Sequence, residues 1–538
     1  MEESSLDRRL WLIGLVVLAG TLYAALDGRF YWHDVRFLYA NTEFAFSDIL
    51  RGEFNPHQAW TPVDESGASG FYVSKLLHMF ILHTVLGVAG PQEGGVEIAV
   101  GIVAGMMLVT VLASFFLFRQ LFGSRDQAAI AILFLCLAPV VPYLTGKLLS
   151  ETSSLMFVVL SVLMFGYSLR ENANGNVLLA AISGIFMALA FMCRMDSVIG
   201  VAGFIAASLF VPLFTADRVR VLRHAVVALF CALLVVTSTA IIAGVDVGGV
   251  WEYFRAFVGA GQKSMAMSFL GISTFGGVVF LPALAGLFSE RIPERRFLLL
   301  WFLSTFVPMA MLTASYMVEP RYLVQSVVPL CGLAVLGLYR IAGIDDRLRI
   351  PSWFLVLAVL AVVLNTVLVK TMPYELDRRA MHQAVDSIMS AQPDAVITVP
   401  WSYTDFNYLK LMLPADKVFN VNSYVGDLEN DEVRAIWEVR FRKWYGSQYI
   451  SDYSGLENHL KNGPVYYLGW RYYPPLQNVR SMAGNIGLDY LVDFLENFKM
   501  KNHLEQSWVW HSKDLQLDLE GGAGQYEYFR VALADMKL

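Results

Sequence analysis

The feature that most restricts the fold of this chain is a series of long apolar stretches rich in Leu, Val, Ala, Ile and Phe. An α-helix needs about 20 apolar residues to cross roughly 30 Å of hydrocarbon. The stretches that reach or approach this length cover residues 10–26, 97–118, 126–144, 151–169, 176–193, 197–214, 225–244, 269–288, 297–317, 322–340 and 352–369. They predict a polytopic all-α membrane body with about 11 transmembrane helices.

The distribution of charge divides the chain into two parts. Charged residues make up 16% of the 538 residues, whereas a soluble chain carries about a quarter. Residues 1–370 are poor in charge, but residues 371–538 approach the soluble norm and carry the net charge of −6. We therefore expect a transmembrane body followed by a C-terminal soluble domain. No basic arm or stripe occurs, so nucleic acid is not an expected partner.

The soluble part alternates apolar runs at 394–401, 417–426 and 463–470 with helix-like stretches such as 427–444. This alternation predicts a small α/β domain. It also contains several large aromatic residues, namely Trp401, Trp444, Trp470, Tyr472 and Tyr473. These side chains either stack on carbohydrate or, as is more common, fill the core of the domain.

The basic residues of the short connections set the orientation, because basic loops stay on the cytoplasmic side. With a cytoplasmic N-terminus, one set of connections holds most of the arginines of the body: Arg8, Arg9, Arg119, Arg125, Arg170, Arg218, Arg220, Arg223, Arg291, Arg295, Arg296, Arg340, Arg347 and Arg349. The apolar stretch 71–89 contains Lys75, His78 and His83, and a crossing there would turn the later arginine clusters outward. We therefore interpret it as an interfacial or re-entrant helix on the outer surface. The sequence thus predicts a protein of the cytoplasmic (inner) membrane with its C-terminal domain outside.

The outer side then collects the residues that could perform chemistry. The first outer loop, 27–96, is long, acidic and aromatic, and His33 and Asp34 lie where a helix could begin, so Asp34 is either a helix cap or a site residue. Ionisable residues also occupy the short outer turns and the loop 245–268: Lys147, Glu151, Arg194, Asp196, Lys263, Glu319 and Arg321. Each alone is explained equally well by interfacial anchoring and ion pairing. Their presence on one side of the membrane favours a shared site.

These residues resemble those of the GT-C membrane glycosyltransferases, a group that includes protein O-mannosyltransferases and lipid A aminoarabinose transferases. The resemblance lies in an early loop Asp (Asp34), a Ser-Glu pair opening a span (Ser150 and Glu151), MALAFMCRMD around Arg194, and PRYLVQSVVPL with Arg321 and Tyr322. It implies a transfer centre at Asp34, a donor phosphate held by Arg194 and Arg321, and a soluble tail that recognises the acceptor.

The chain also departs from the family pattern: GFYVSKLL stands where a Pro-Pro-Leu-Tyr-like stretch is common, and two further departures bear on the mechanism. Val35 follows Asp34 where a second acidic residue is common, and WRYYPP at 470–475 differs from the WWDYG signature of the oligosaccharyltransferases. The departure at Val35 weakens any mechanism with paired carboxylates, and the departure at 470–475 disfavours transfer of a whole glycan to Asn.

The chemistry of such a transfer needs a base for the acceptor hydroxyl and cations for the leaving phosphate. We therefore predict Asp34 as the general base and Arg194, Arg321, Lys263 and Lys147 as ligands of the phosphate. Five further residues are expected to support the site: His33, Glu151, Asp196, Glu319 and Tyr322. A single base with direct displacement predicts inversion at the anomeric carbon.

Several alternatives remain open on the sequence alone. No metal site is expected from spacing, although His33, His57, Asp64 and Glu65 could bind a divalent cation such as Mg, Mn or Zn. The acceptor is a protein, a lipid or a glycan, and the partners are the lipid bilayer and a polyprenyl-phosphate sugar. The competing functions are a transporter or flippase, and an envelope-assembly scaffold whose tail binds a partner.

Overall fold

The computed structural model describes residues 75–89, 93–145, 147–170, 176–245, 275–313, 320–342, 383–398, 415–421, 449–450, 453–470, 509–511, 515–523 and 526–533. In the body, the described helices are α1 Leu76–Ala89, α2 Glu93–Phe122, α3 Arg125–Leu137, α4 Val140–Leu144, α5 Ser150–Ser168, α6 Asn176–Cys193, α7 Val198–Phe210, α8 Arg218–Ala243, α9 Phe280–Gly286, α10 Ile292–Thr313 and α11 Val327–Ala342. Short 3-10 turns cover Met195–Ser197, Gly277–Val279 and Pro320–Ser326.

Four described segments are long and apolar enough to cross a membrane, judged by length and composition: Ile98–Phe122, Ser150–Ser168, Arg218–Ala243 and Arg321–Ile341. The described body is therefore helical and suited to a membrane, as predicted. The number of spans stays a prediction, because the stretches 10–26 and 352–369 lie outside the described residues. Helix α1 has 14 residues, or about 21 Å, and is shorter than the hydrocarbon layer.

Two predicted segments differ from the observed helices. The stretch 126–144 is broken, because α3 ends at Leu137 and Ala138 is extended before Pro139. A residue that precedes proline disfavours the helical conformation, which the apolar pattern could not indicate. Helix α8 begins at Arg218 rather than near 225, since the Asp217 side chain accepts hydrogen bonds from the backbone N–H groups of Val219 and Arg220.

The helices differ strongly in burial. The segment Arg321–Ile341 is almost entirely buried inside the bundle, whereas α8 exposes most of its apolar surface. Exposed apolar side chains of this kind face lipid in a membrane protein. Helix α8 contacts α6 through Gly184, where an added Cβ would lie 2.1 Å from the backbone oxygen of Ala228.

The C-terminal part contains a seven-stranded sheet in the order β3-β2-β1-β4-β7-β6-β5. Its strands are β1 Ala395–Thr398, β2 Val418–Val421, β3 Tyr449–Ile450, β4 Val465–Trp470, β5 Val509–His511, β6 Leu515–Ala523 and β7 Tyr526–Leu533. Strands β1 to β4 are parallel neighbours, and β5 to β7 continue the sheet in antiparallel fashion. A helix over 383–390, which we call α12, precedes β1, and α13 at Tyr453–Asn462 precedes β4. That residues 371–538 form one α/β domain stays a prediction.

The fold positions the candidate site through four places where a helix begins or the chain turns. Lys75 directly precedes α1, residues 147–149 precede α5, Arg194 lies between α6 and the 3-10 turn Met195–Ser197, and Arg321 lies in the turn before α11. These four places come together at one end of the helices, as the contacts below demonstrate.

Candidate functional site

Six of the predicted site residues lie within the described part of the chain: Lys147, Glu151, Arg194, Asp196, Arg321 and Tyr322. The other four, His33, Asp34, Lys263 and Glu319, lie outside it. Five of the six meet in one cluster, and Lys147 lies on the adjoining turn.

Glu151 is the centre of the cluster. It lies in the first turn of α5, where the helix dipole favours a carboxylate, and it is only 3% exposed. Its Oε1 atom accepts a hydrogen bond from Nη1 of Arg194 at 2.5 Å. The Nε atom of Arg321 lies 3.7 Å from the same oxygen. A single buried carboxylate therefore holds two guanidinium groups from distant parts of the chain.

Arg194 is fixed further by its neighbour Asp196. Its Nε atom donates to Oδ1 at 2.8 Å and its Nη2 atom donates to Oδ2 at 2.5 Å, which gives a bidentate pair. Arg194 has an extended backbone after α6, and Asp196 lies in the 3-10 turn that follows. The two carboxylates use three of the five N–H groups of this guanidinium, so two N–H groups remain for another acceptor.

Tyr322 contacts both guanidinium groups. The Arg321 Nη2 atom donates to the Tyr322 hydroxyl at 3.1 Å. The central carbons of Arg194 and Arg321 lie 5.3 and 4.9 Å from the centre of the Tyr322 ring. At these distances the ring quadrupole attracts both cations, so Tyr322 helps to offset the repulsion between two like charges that share one carboxylate.

A second tie lies directly after the Arg194 turn. The backbone N–H of Gly200 in α7 donates to Oε1 of Gln325 at 3.1 Å, and Trp301 Nε1 donates to the Gly200 carbonyl at 3.1 Å. A Cβ at position 200 would lie 2.7 Å from the Gln325 oxygen, so a larger residue would shift the Gln325 side chain. Helix α7 is thus tied to the turn that carries Arg321 through the backbone of Gly200.

Lys75 belongs to the site although the sequence analysis gave it no role there. Its side chain is buried, and it interacts electrostatically with Arg194, Glu151, Asp196 and Arg321. Burial, followed by the neighbouring Arg194, holds the pKa of Lys75 well below its usual range. The signal was present in the sequence, because an ionisable residue in an apolar stretch marks a functional site by default.

Lys147 is buried in the turn before α5, where its backbone N–H donates to the Leu144 carbonyl at 3.2 Å. The described residues in and beside the cluster therefore include four basic side chains, those of Lys75, Lys147, Arg194 and Arg321. They include two carboxylates, those of Glu151 and Asp196. Such an excess of positive charge suits an anionic ligand.

The described residues hold no group of three or more His, Cys, Asp or Glu side chains that could bind a metal ion. The four candidate metal ligands, His33, His57, Asp64 and Glu65, all lie outside those residues. The divalent cation therefore stays a prediction.

Comparison with solved structures identifies the fold. ArnT from Cupriavidus metallidurans bound to undecaprenyl phosphate matches with a TM-score of 0.55 and 11% identity over 96% of this chain and 97% of that chain. The archaeal oligosaccharyltransferase AglB from Archaeoglobus fulgidus, in complex with an inhibitory peptide and a dolichol-phosphate, matches with a TM-score of 0.52 and 13% identity. That match covers 99% of this chain and 74% of the AglB chain. The chain has the GT-C fold.

The GT-C fold predicted from Asp34, Ser150–Glu151, Arg194 and Arg321–Tyr322 is therefore confirmed. No protein-family model and no curated protein sequence matches the chain. At 11% and 13% identity the likeness concerns the fold. The roles of individual residues rest on the geometry of the cluster.

Proposed function

We propose that this protein is a glycosyltransferase that moves a sugar from a polyprenyl-phosphate donor to an acceptor hydroxyl at the outer face of the membrane. The observation that supports this most is the cluster of the buried Lys75 and Arg321 and the partly buried Arg194 around Glu151. It occurs in a GT-C fold whose solved relatives bind undecaprenyl phosphate and dolichol-phosphate. We extend that lipid class to this chain as its donor.

The reaction breaks the bond between the anomeric carbon and the phosphate oxygen, and forms a bond from that carbon to the acceptor oxygen. The bonding electrons leave with the lipid phosphate. Its negative charge increases by about one unit, because a phosphodiester becomes a phosphomonoester. Cations placed around this phosphate stabilise the transition state more than the ground state. The proton of the acceptor hydroxyl passes to Asp34 as general base.

The contacts divide the work among the cations. The Arg194 guanidinium donates three hydrogen bonds to Asp196 and Glu151, and its two remaining N–H groups bind the phosphate. The Arg321 Nε atom lies 3.7 Å from Glu151 and its Nη2 atom donates to Tyr322, and we assign this guanidinium to the same phosphate. An anion beside Lys75 favours its protonated amine, which burial disfavours, so we assign Lys75 to the same phosphate. Lys147 and Lys263 complete the predicted set.

The other supporting residues keep these cations in place. Glu151 contacts both arginines, and the Tyr322 ring attracts both cations. His33 and Glu319 keep the supporting role predicted from the sequence. One base and no covalent sugar intermediate gives inversion at the anomeric carbon.

The test is transfer by purified protein in nanodiscs, with polyprenyl-phosphate hexose, aminoarabinose and arabinofuranose as donors and release of the lipid phosphate as readout. We expect one donor to react, Asp34→Asn to lower kcat by about 100- to 10,000-fold, and Arg321→Gln by about 100- to 1,000-fold. Arg340→Gln is the matched control, because Arg340 is 53% exposed and pairs with Glu290 away from the cluster. A wild-type kcat in Asp34→Asn would show that Asp34 is not the general base.

Two additions separate the alternatives. Mass spectrometry of co-purified lipid names the donor class, and no release from any donor would favour the transporter or the scaffold. Chelation tests the metal: loss of transfer in EDTA with recovery in Mg, Mn or Zn would add a cation to the site, and an unchanged rate would leave the side chains as the only charge.

A further inference from the structure

The short helix α1 is tied to the rest of the body by a buried histidine near its N-terminus. His78 is 1% exposed. Its Nε2 atom lies 2.9 Å from the carbonyl oxygen of Leu148, and its Nδ1 atom lies 3.1 Å from the Ser153 hydroxyl. Because a carbonyl can only accept, Nε2 carries the hydrogen and donates it. Both polar atoms of the ring therefore contact residues that lie 70 and 75 positions further along the chain.

These two contacts lie on either side of Glu151. Leu148 belongs to the turn before α5, and Ser153 lies two residues after Glu151 in the first turns of that helix. On α1, the Lys75 carbonyl accepts the N–H of Met79 at 2.9 Å, so Lys75 is the residue on which the helix starts. Lys75 and His78 are three positions apart and lie on the same face of the helix. The imidazole thus fixes the helix that carries Lys75 against the helix that carries Glu151.

The surrounding sequence, LLHMFIL, is otherwise apolar at positions 76–82. Leucine at position 78 would match these apolar neighbours, but it would remove the donor to the buried Leu148 carbonyl. Two directed hydrogen bonds restrict the rotation and sliding of the helix beyond what apolar packing does, because each requires a defined distance and angle. Directed contacts matter here because the Lys75 amine must lie near a phosphate within tenths of an ångström.

We infer that His78 is a positioning residue, which holds α1 against the start of α5 so that Lys75 lies beside Glu151, Arg194 and Arg321. The inference rests on the proposed function, because it explains how the Lys75 amine is positioned in the proposed donor-phosphate site. His78 touches neither sugar nor phosphate in this scheme, and it acts on the reaction only through Lys75.

The first experiment is a double-mutant cycle measured as kcat for sugar transfer. We expect His78→Leu to lower kcat by roughly 10- to 100-fold, and His78→Gln to retain most of the rate because its amide donates to the Leu148 carbonyl. In the background of Lys75→Gln, the same His78→Leu change should cost less than about twofold, since the residue through which it acts is gone. An equal loss in both backgrounds would assign His78 to general stability and overturn the inference.

The second experiment does not depend on catalysis. Hydrogen exchange of the full-length protein should show faster exchange in residues 76–89 of His78→Leu, with α2 unchanged and with His78→Gln close to wild type. Thr84→Val is the control on the same helix, because the Thr84 hydroxyl bonds only to Phe80 of its own helix in the described contacts. Unchanged exchange in His78→Leu would refute the tie. If the wild type transfers no sugar, the proposed function fails while exchange still decides whether His78 holds α1.

Discussion

Glu151 is the residue on which the cluster depends most, because it is the carboxylate that Arg194 and Arg321 share. We expect Glu151→Gln to lower the free energy of unfolding by about 3 to 5 kcal/mol, the typical cost of breaking a buried ion pair from one side. The measurement is thermal unfolding in one detergent. Glu290→Gln is the matched control, since that carboxylate is 87% exposed and pairs only with Arg340 in the described contacts. It should cost at most about 1 kcal/mol, and equal costs would mean that Glu151 is not a central anchor.

Arg194 illustrates why shape matters as much as charge. Lysine at this position keeps the positive charge but cannot donate to both oxygens of Asp196 while reaching Glu151. We expect Arg194→Lys to lower kcat by about tenfold or more with a smaller change in donor KM, as is typical when transition-state contacts are lost. Arg340→Lys should leave both constants unchanged. An unchanged kcat in Arg194→Lys would mean that only the positive charge at position 194 matters, and that the shape of the guanidinium does not.

Much of the described site could be predicted at this scale. Glu151, Arg194, Asp196, Arg321 and Tyr322 stand beside long apolar stretches, and the topology placed them on one side of the membrane. Their mutual contacts could not be predicted, because nothing in the local pattern records which of several outer turns touch.

Lys75 was overlooked for a different reason. Its charge bears on whether residues 71–89 cross the membrane, but its position in the sequence does not indicate which residues it contacts. Its proximity to Glu151 depends on the way α1 folds back on α5, through contacts between residues far apart in the chain.

At the scale of elements, close helix packing depends on a few glycines. Gly184 of α6 allows contact with the backbone of α8, whereas Gly101 of α2 has open space where its Cβ would be. We expect Gly184→Ala to destabilise the protein by about 1 to 3 kcal/mol, because the helices must separate. Gly101→Ala should be neutral or stabilising by up to about 1 kcal/mol through helix propensity. Thermal unfolding of the two variants tests this, and similar midpoints would contradict the packing shown by α6 and α8.

The boundaries of the elements separate what apolar length predicts from what it misses. The stretch 176–193 coincides with α6 because polar residues bound it on both sides. The stretch 126–144 is split at Ala138 and Pro139, and α8 starts earlier than predicted because its first turn carries arginines that a search for apolar residues excludes. Arginine stems can line an apolar surface while their charged ends reach water, so such turns remain helical.

At the scale of the whole molecule, the predicted orientation places Glu290 in the cytoplasm and the C-terminal sheet outside. Three of the four cysteines are buried and Cys231 is partly so, which gives a low background for thiol labelling. Lys461 and Glu290 are both exposed to solvent, so a cysteine at either position can be labelled. Because the predicted orientation places them on opposite sides of the membrane, we expect an impermeant maleimide to label Lys461→Cys in intact cells and Glu290→Cys only after the cells are opened. The reverse labelling pattern would mean that the proposed donor site faces the cytoplasm.

The ion cluster also has a consequence for the way the chain is made. The segment with Glu151 enters the membrane first, the segment with Arg194 follows 43 residues later, and Arg321 arrives only after several more helices have been inserted. A nascent chain can therefore neutralise its early carboxylate at once, but the second guanidinium must wait for a late segment to dock. The cluster is thus complete only late in membrane integration, when of the predicted spans just 322–340 and 352–369 are still being inserted, so a body released before Arg321 would lack its second guanidinium.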